Sequence, residues 1–338
     1  MTDTVLFTSI ALVLVFSFSN GMKDGCNVTA TAVASRSFSR RNAMIIVLCA
    51  EFLSPFVLGT PVAITVARGI IKIDILPHGG ESVLLILSGI TGALLWNIMT
   101  WAVRMPTSSS FALVGGLIGP VLFRFGMTAV PWKIFCTRVI GALFLSPLFG
   151  VLFGYLSYRG LEFFLRDASF SATKYIMKGQ IASLIFLGLN HGSNDSQKAM
   201  GIIALLLFLA GKTSQIQIAP WMKIVSISSL VLGITMGGVK IIKTVGYDIF
   251  QLRPIHSLSS HISASVVLLF SNLIGAPVST TQVITSSVMG VGSAFRVKSV
   301  RWSLIFIIIW SWILTIPLSA FVSIVIYITI TFILGKTG

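Results

Sequence analysis

His191-Gly192-Ser193-Asn194-Asp195 sits inside an apolar run covering about residues 180–210. Pro277-Val278-Ser279-Thr280-Thr281 follows it, beyond a second apolar run. The same pair occurs earlier in the chain. Asn20-Gly21-Met22-Lys23-Asp24 is followed, at the same spacing, by Pro106-Thr107-Ser108-Ser109-Ser110. Each proline leads, again at one spacing, to a glycine, Gly119 in the first copy and Gly290 in the second. A single constant offset therefore carries Asp24 onto Asp195, Pro106 onto Pro277 and Gly119 onto Gly290. An offset shared by separated motifs marks an internal duplication. Val130-Pro131-Trp132 and Val300-Arg301-Trp302 align one position short of it, as do Pro147 and Pro317.

The surroundings of these motifs give the fold class. The chain has 338 residues, of which 55% are hydrophobic and only 10% charged. Its mean hydropathy is +0.97. So few charges cannot cover a soluble domain of this size. That excludes a soluble enzyme, a disordered chain and a nucleic-acid binder. Apolar runs cover about 4–34, 43–67, 82–103, 131–158, 180–210, 218–242, 257–274 and 302–334. The reading is an all-α polytopic membrane protein. Two Ser/Thr/Gly-rich stretches, 106–124 and 277–294, are too polar to face lipid. They read as re-entrant hairpins, because such backbone is tolerated at membrane depth only against protein or water. The halves fall at 1–158 and 180–338, joined by a polar loop at 159–179. Crossing parity leaves parallel and inverted repeats both open.

The net charge is +15, carried by 24 Lys and Arg against 9 acids. The basic residues lie mostly between apolar runs, where they fix orientation and meet anionic lipid. Residues 4–20 read as a first membrane helix, not a signal peptide. Cys26, Cys49 and Cys136 read as small buried residues rather than a disulfide framework.

Only Asp24, Glu51 and Asp195 are acids within apolar runs. An intramembrane acid costs about 2.5–3.5 kcal/mol at a helix centre and by default marks a solute or ion pathway. The plainer alternative is structural pairing with Lys23 or Lys198. The glycines beside both aspartates suggest broken helices with exposed carbonyls, which suit a small hard cation or a proton. Asn27 shares the helical face of Asp24, and Lys198 holds the equivalent place after Asp195. The Pro-x-Ser stretches point to the opposite charge. A proline-started helix N-terminus with Ser and Thr offers free N–H groups, hydroxyls and a positive dipole end, which together bind oxyanions. Carboxylates beside an oxyanion site favour hydrogen phosphate, which has a proton to donate. Sulfate has none and is only repelled.

At these residues the chain resembles the PiT family of inorganic phosphate transporters, close to its bacterial members. The likeness runs through Asn20 to Asn27, Trp96-Asn97, Trp101, Pro106 to Gly116, His191 to Lys198, Gly237-Gly238, Lys243-Thr244-x-Gly246 and Pro277 to Thr281. It implies inverted repeats and a midplane phosphate site in the bacterial inner membrane, worked by Na⁺ or H⁺ symport with no organic cofactor. The repeats would be rocked about that site. Carried over, substrate binding falls to Asp24, Asn27, Ser108, Ser109, Ser110, Asn194, Asp195, Lys198, Ser279, Thr280 and Thr281. Cation coupling falls to Asp24, Asn27, Glu51, Asn194 and Asp195. The expected partners are phosphate, the coupling cation and lipid, with a homodimer left open and no nucleic acid. The chain departs from the family at Lys23, where Asn or His is usual, at Phe111 and Gln282, where His often follows, and at His261, where Glu is common. The alternative is a carrier of sulfate or another tetrahedral oxyanion on the same fold. An intramembrane hydrolase lacks its Gly-x-Ser-x-Gly elbow here.

Overall fold

The offset between the two sets of motifs returns in the helix boundaries. A computed structural model describes residues 2–103, 107–167, 172–237 and 251–335. Pro106, Gly238 and the Lys243-to-Gly246 stretch lie outside the described residues. The first half holds α1 (Thr2–Ala34), α2 (Arg40–Val57), α3 (Pro61–Gly69), α4 (Gly80–Ala102) and α5 (Ser109–Phe125). It ends in α6 (Trp132–Phe164), which contains a π-helical stretch at Phe135–Ile140. The second half holds α7 (Ala172–Leu209), α8 (Pro220–Met236), α9 (Pro254–Leu273), α10 (Thr280–Arg296) and α11 (Trp302–Ile333). Helices α5 and α10 match residue for residue at the offset. No strand occurs among the described residues.

Local chemistry sets these ends. Pro61, Pro220 and Pro254 each open a helix, where their missing N–H costs nothing. Ser108 and Ser279 cap α5 and α10, their hydroxyl oxygens accepting from Phe111 N at 3.2 Å and Gln282 N at 3.4 Å. Helix α9 ends at Gly275, whose φ of 71° suits glycine.

Four described helices, Asp3–Ala34, Gly80–Ala102, Trp132–Phe164 and Ile305–Ile333, are long and apolar enough to cross a membrane. The pair α2 and α3, bent by 72°, makes a fifth if taken as one span. Helix α7 is longer still, with 38 residues, but its centre carries the polar run from Asn190 to Lys198. Exposed Phe144, Leu148 and Phe149 on α6, and Phe306, Trp310 and Phe321 on α11, give these helices apolar outer faces. Such faces belong against lipid.

Contacts at the helix ends show the halves to be inverted. Lys212, just past α7, pairs with Asp3 at the start of α1 at 2.7 Å. Gly79, at the base of α4, donates to Leu209 O, the end of α7, at 2.8 Å. Gln180, near the start of α7, donates to Pro254 O, the start of α9. The equivalent helices α1 and α7 therefore run in opposite directions. The bases of α4 and α9 lie at opposite ends of α7. Each hairpin also closes on itself. Arg124, near the end of α5, pairs with Glu81, near the start of α4, at 3.0 Å. At the matching place Arg253 lies 5.7 Å over the Phe295 ring. Each hairpin thus returns to the end from which it started and adds no crossing of its own.

The packing interleaves the halves. Helices α1, α2, α3, α7 and α8 form a central bundle. Hairpin α4–α5 packs on α11, from the other half, and hairpin α9–α10 packs on α6. The helices reach into both ends of the stretch read as a loop. α6 runs on to Phe164, and α7 starts at Ala172.

Two sequence expectations are corrected. The aspartate motifs do not break their helices: α1 and α7 run continuously through Asp24 and Asp195. Their glycines serve close packing instead. A Cβ on Gly21 would lie 2.0 Å from Leu230 O of α8, and one on Gly192 would lie 2.8 Å from Glu51 Cα of α2. Glycine costs a helix about 1 kcal/mol, which close helix contact in a membrane offsets. The real interruptions fall between α2 and α3 and at the hairpin tips, where Pro, Gly and caps coincide. Of the cysteines only Cys26 is buried, while Cys49 and Cys136 are exposed on the outer faces of α2 and α6.

Candidate functional site

The hairpin tips end against the middle of the two long helices, not at the far side of the bundle. Tip one is Thr107–Ser110 and tip two is Val278–Thr281. They touch each other, Ser110 Oγ donating to Val278 O at 2.9 Å. Each tip also reaches across the halves. Asp24 of α1 receives Ser109 Oγ from tip one and Thr281 Oγ1 from tip two, the latter at 2.9 Å. Asp195 of α7 receives Thr280 Oγ1 at 3.1 Å. Lys198, on the same helix face, donates to Asp195 Oδ1 at 2.5 Å and to Ser110 Oγ at 2.7 Å. Asn27 Nδ2 donates to Thr281 Oγ1 at 2.8 Å. All these side chains are buried.

The aspartates can sit in apolar helices because each is answered by hydroxyls or an ammonium. Asn194 points along hairpin two, its Nδ2 donating to Asn272 Oδ1 at 2.8 Å and Ala276 O at 3.4 Å. Ser108 and Ser279 use their oxygens as caps and keep their O–H donors. Glu51 of α2 joins through a residue the sequence reading left out of the site. His191 Nδ1 lies 2.9 Å from Glu51 Oε1, and its Nε2 lies 3.4 Å from Asp195 Oδ2, all fully buried. Asp24, Asn27, Ser109, Ser110, Asp195, Lys198, Thr280, Thr281 and Glu51 are thus joined, directly or through His191, in one buried network.

Other members were missed. Asn20 Oδ1 lies 2.5 Å from Ser109 Oγ. The offset makes Asn20 the counterpart of His191, and that signal was available. Lys23 reaches Thr107 Oγ1 at 2.7 Å and Asn97 Oδ1 at 3.4 Å. Gln197 Oε1 accepts from Val62 N at 2.8 Å and Ala63 N at 3.1 Å, capping α3 behind its proline. No pattern in the sequence announces that contact. His261, one of the departures, is held by Thr31 Oγ1 at 2.6 Å and Ser183 Oγ at 3.2 Å, away from the tips.

Some buried polar atoms have no protein partner among the described residues. Asn27 Oδ1, Asn194 Oδ1, Asn97 Nδ2 and both amide atoms of Gln282 are of this kind. An unpaired buried amide is costly, so such atoms mark places for a ligand or water. The site offers hydroxyls, two ammonium groups and two helix N-termini to an anion. It offers carboxylates and amide oxygens to a cation or a proton.

Two inverted halves enclosing a polar site where two hairpin tips meet two long helices is the build of a membrane transporter. The chain belongs to the phosphate transporter family, whose model matches it twice, over residues 20–177 and 166–323. It is 34% identical over 336 residues to a probable low-affinity inorganic phosphate transporter of Bacillus subtilis, covering 98% of this chain and 99% of the relative. A protein of the same description from Rhizobium meliloti is 34% identical over 320 residues, 94% of each chain. A solved structure titled the sodium-dependent phosphate transporter shares the fold, with a TM-score of 0.88 over 98% of this chain at 22% identity.

Proposed function

We propose that this protein imports inorganic phosphate across the bacterial inner membrane by symport with a monovalent cation, Na⁺ or H⁺. One observation carries the reading. Both hairpin tips, entering from opposite sides, hold the aspartates of α1 and α7 through hydroxyls. In this reading phosphate replaces the carboxylates as partner of Ser109, Ser110, Thr280 and Thr281, with Ser108 and Ser279 donating as well. Lys198 adds charge. Asp24 and Asp195, freed from those hydroxyls, take a phosphate proton or the coupling cation, together with Asn27 and Asn194. Glu51 acts on Asp195 through His191.

Alternating access follows if the two hairpin bundles move in turn against the central bundle. Residues 1–158 and 180–338 each contribute one hairpin to that motion. A sodium-dependent phosphate transporter on the same fold supports a cation partner. A carboxylate-lined site also supports phosphate over sulfate, because only phosphate can donate to it.

The test is uptake of ³²P-phosphate into proteoliposomes under an inward Na⁺ gradient and, separately, an inward proton gradient. Uptake that follows one gradient and resists excess sulfate is expected. Flat traces under both gradients would sink the proposal. Full inhibition by sulfate would move the substrate to the wider class of tetrahedral oxyanions.

A further inference from the structure

We propose that Lys23 is a resident counter-cation of the transport site, neutralising the carried anion so that one fewer mobile cation travels with it. This rests on the phosphate reading above.

Lys23 lies on α1 beside Asp24 and is only 4% exposed. Its ammonium is held by neutral oxygens under tip one, Thr107 Oγ1 at 2.7 Å and Asn97 Oδ1 at 3.4 Å. Thr107 Oγ1 donates in turn to Thr100 Oγ1 at 2.8 Å, and Thr100 Oγ1 donates to the α4 backbone at Trp96 O, 2.9 Å away. Among the described residues, no carboxylate oxygen lies within 4.0 Å of this ammonium. Lys198 differs, because Asp195 neutralises it at 2.5 Å.

The duplication supplies the control. The offset that carries Asp24 onto Asp195 sets Lys23 opposite Asn194, and Asn27 opposite Lys198. Lysine and asparagine have changed places between the halves. In the second half Asn194 does for hairpin two what Lys23 does for hairpin one. It donates from the long helix to a side-chain oxygen, Asn272 Oδ1, and to the loop before the tip, Ala276 O. A neutral amide N–H therefore suffices to tie a hairpin to its long helix. The positive charge of Lys23 exceeds the need of the hairpin; the neighbouring Asp24 attracts it through space, but no direct ion pair forms between them. Burying a charge without a directly paired partner is expensive. The anion that visits Ser109 and Ser110, on the same tip as Thr107, is the partner that offsets the part of the cost Asp24 leaves. A fixed ammonium stays behind when the anion leaves, so its charge does not count in the transport stoichiometry.

The experiment compares wild type with Lys23→Asn, Lys23→Gln and Lys23→Arg. Phosphate binding is measured on purified protein in detergent. The charge moved per phosphate is measured in proteoliposomes, from the membrane potential at which net ³²P uptake stops. The asparagine variant copies the arrangement of the second half and is expected to fold. Lys23→Asn and Lys23→Gln should bind phosphate at least about tenfold more weakly, the usual result of removing one charged partner from a buried contact. They should also carry one more positive charge per phosphate. Lys23→Arg should keep the wild-type charge ratio. A lysine that merely ties the hairpin would leave that ratio unmoved. Wild-type affinity and charge ratio in the asparagine variant overturn the inference. So does failure of both neutral variants to fold while the arginine variant folds, since the charge is then structural. If a neutral variant folds but does not transport, its phosphate affinity decides: weakened supports, unchanged overturns. Absence of phosphate uptake by the wild type would instead withdraw the function itself.

Discussion

Asp24 accepts from hydroxyls of both hairpins, so it ties the two halves at one carboxylate. Replacing it by asparagine keeps the shape but turns one acceptor into a donor facing donors. Phosphate uptake by Asp24→Asn is expected to fall by about tenfold to a hundredfold, the range for a lost hydrogen bond to a charged group. Initial rates in proteoliposomes measure it. Glu51 is a test of a different kind, because its ion pair lies between α2 and α7. Its partner is His191, at 2.9 Å with both side chains fully buried. Glu51→Gln should destabilise the protein by about 3 kcal/mol, as breaking a buried pair does. It should do so even without substrate. A thermal-unfolding midpoint equal to wild type would show that the contact contributes nothing. Asp24, Glu51 and Asp195 were legible in the sequence, since an acid in an apolar run stands out. Lys23 and His191 were less so, because their meaning lies in the partners they meet across the bundle.

Between neighbouring helices, the glycines beside the aspartates decide how closely the backbones approach. Gly21 and Gly25 of α1 face Leu230 and Ile234 of α8, and Gly233 of α8 faces Phe18 of α1. A Cβ at Gly233 would lie 2.0 Å from Phe18 O, a backbone atom that cannot rotate away. Gly233→Ala should therefore cost about 1–3 kcal/mol, as overpacking does. Gly160→Ala is the control, because nothing lies within 4 Å of a Cβ there. It should leave the unfolding midpoint unchanged or slightly raised. The same glycines misled the sequence reading, which took them for helix breaks. A glycine that breaks a helix and one that admits a neighbour look alike in sequence. Only the presence of α8 against α1 tells them apart. The N-terminal Ser caps of α5 and α10, by contrast, were legible as helix starts because capping is local.

Across the whole molecule, the inverted arrangement predicts which distant residues are neighbours. Asp3 and Lys212 pair at one end of the bundle, 2.7 Å apart. In a background lacking Cys26, Cys49 and Cys136, cysteines at positions 3 and 212 should join through a short thiol cross-linker. Cysteines at 3 and 180 should not, since Gln180 sits at the opposite end beside Pro254. A cross-link between 3 and 180 would reverse the assignment. Read along the chain, hydropathy, the repeated offset and the helix caps already define a duplicated helical membrane protein. They also put its acids and its Ser/Thr-started helices in matched places. These are local or periodic properties, visible in one dimension. The packed helices decide for the inversion that parity left open and the resemblance implied, and they alone show that each hairpin packs on the last helix of the other half and that the two tips meet both aspartates. These arrangements depend on the direction in which each helix crosses the bundle. The re-entrant stretches themselves were legible from their composition, but which distant helices they meet is set by contacts across the bundle, and these leave no periodic trace in the chain.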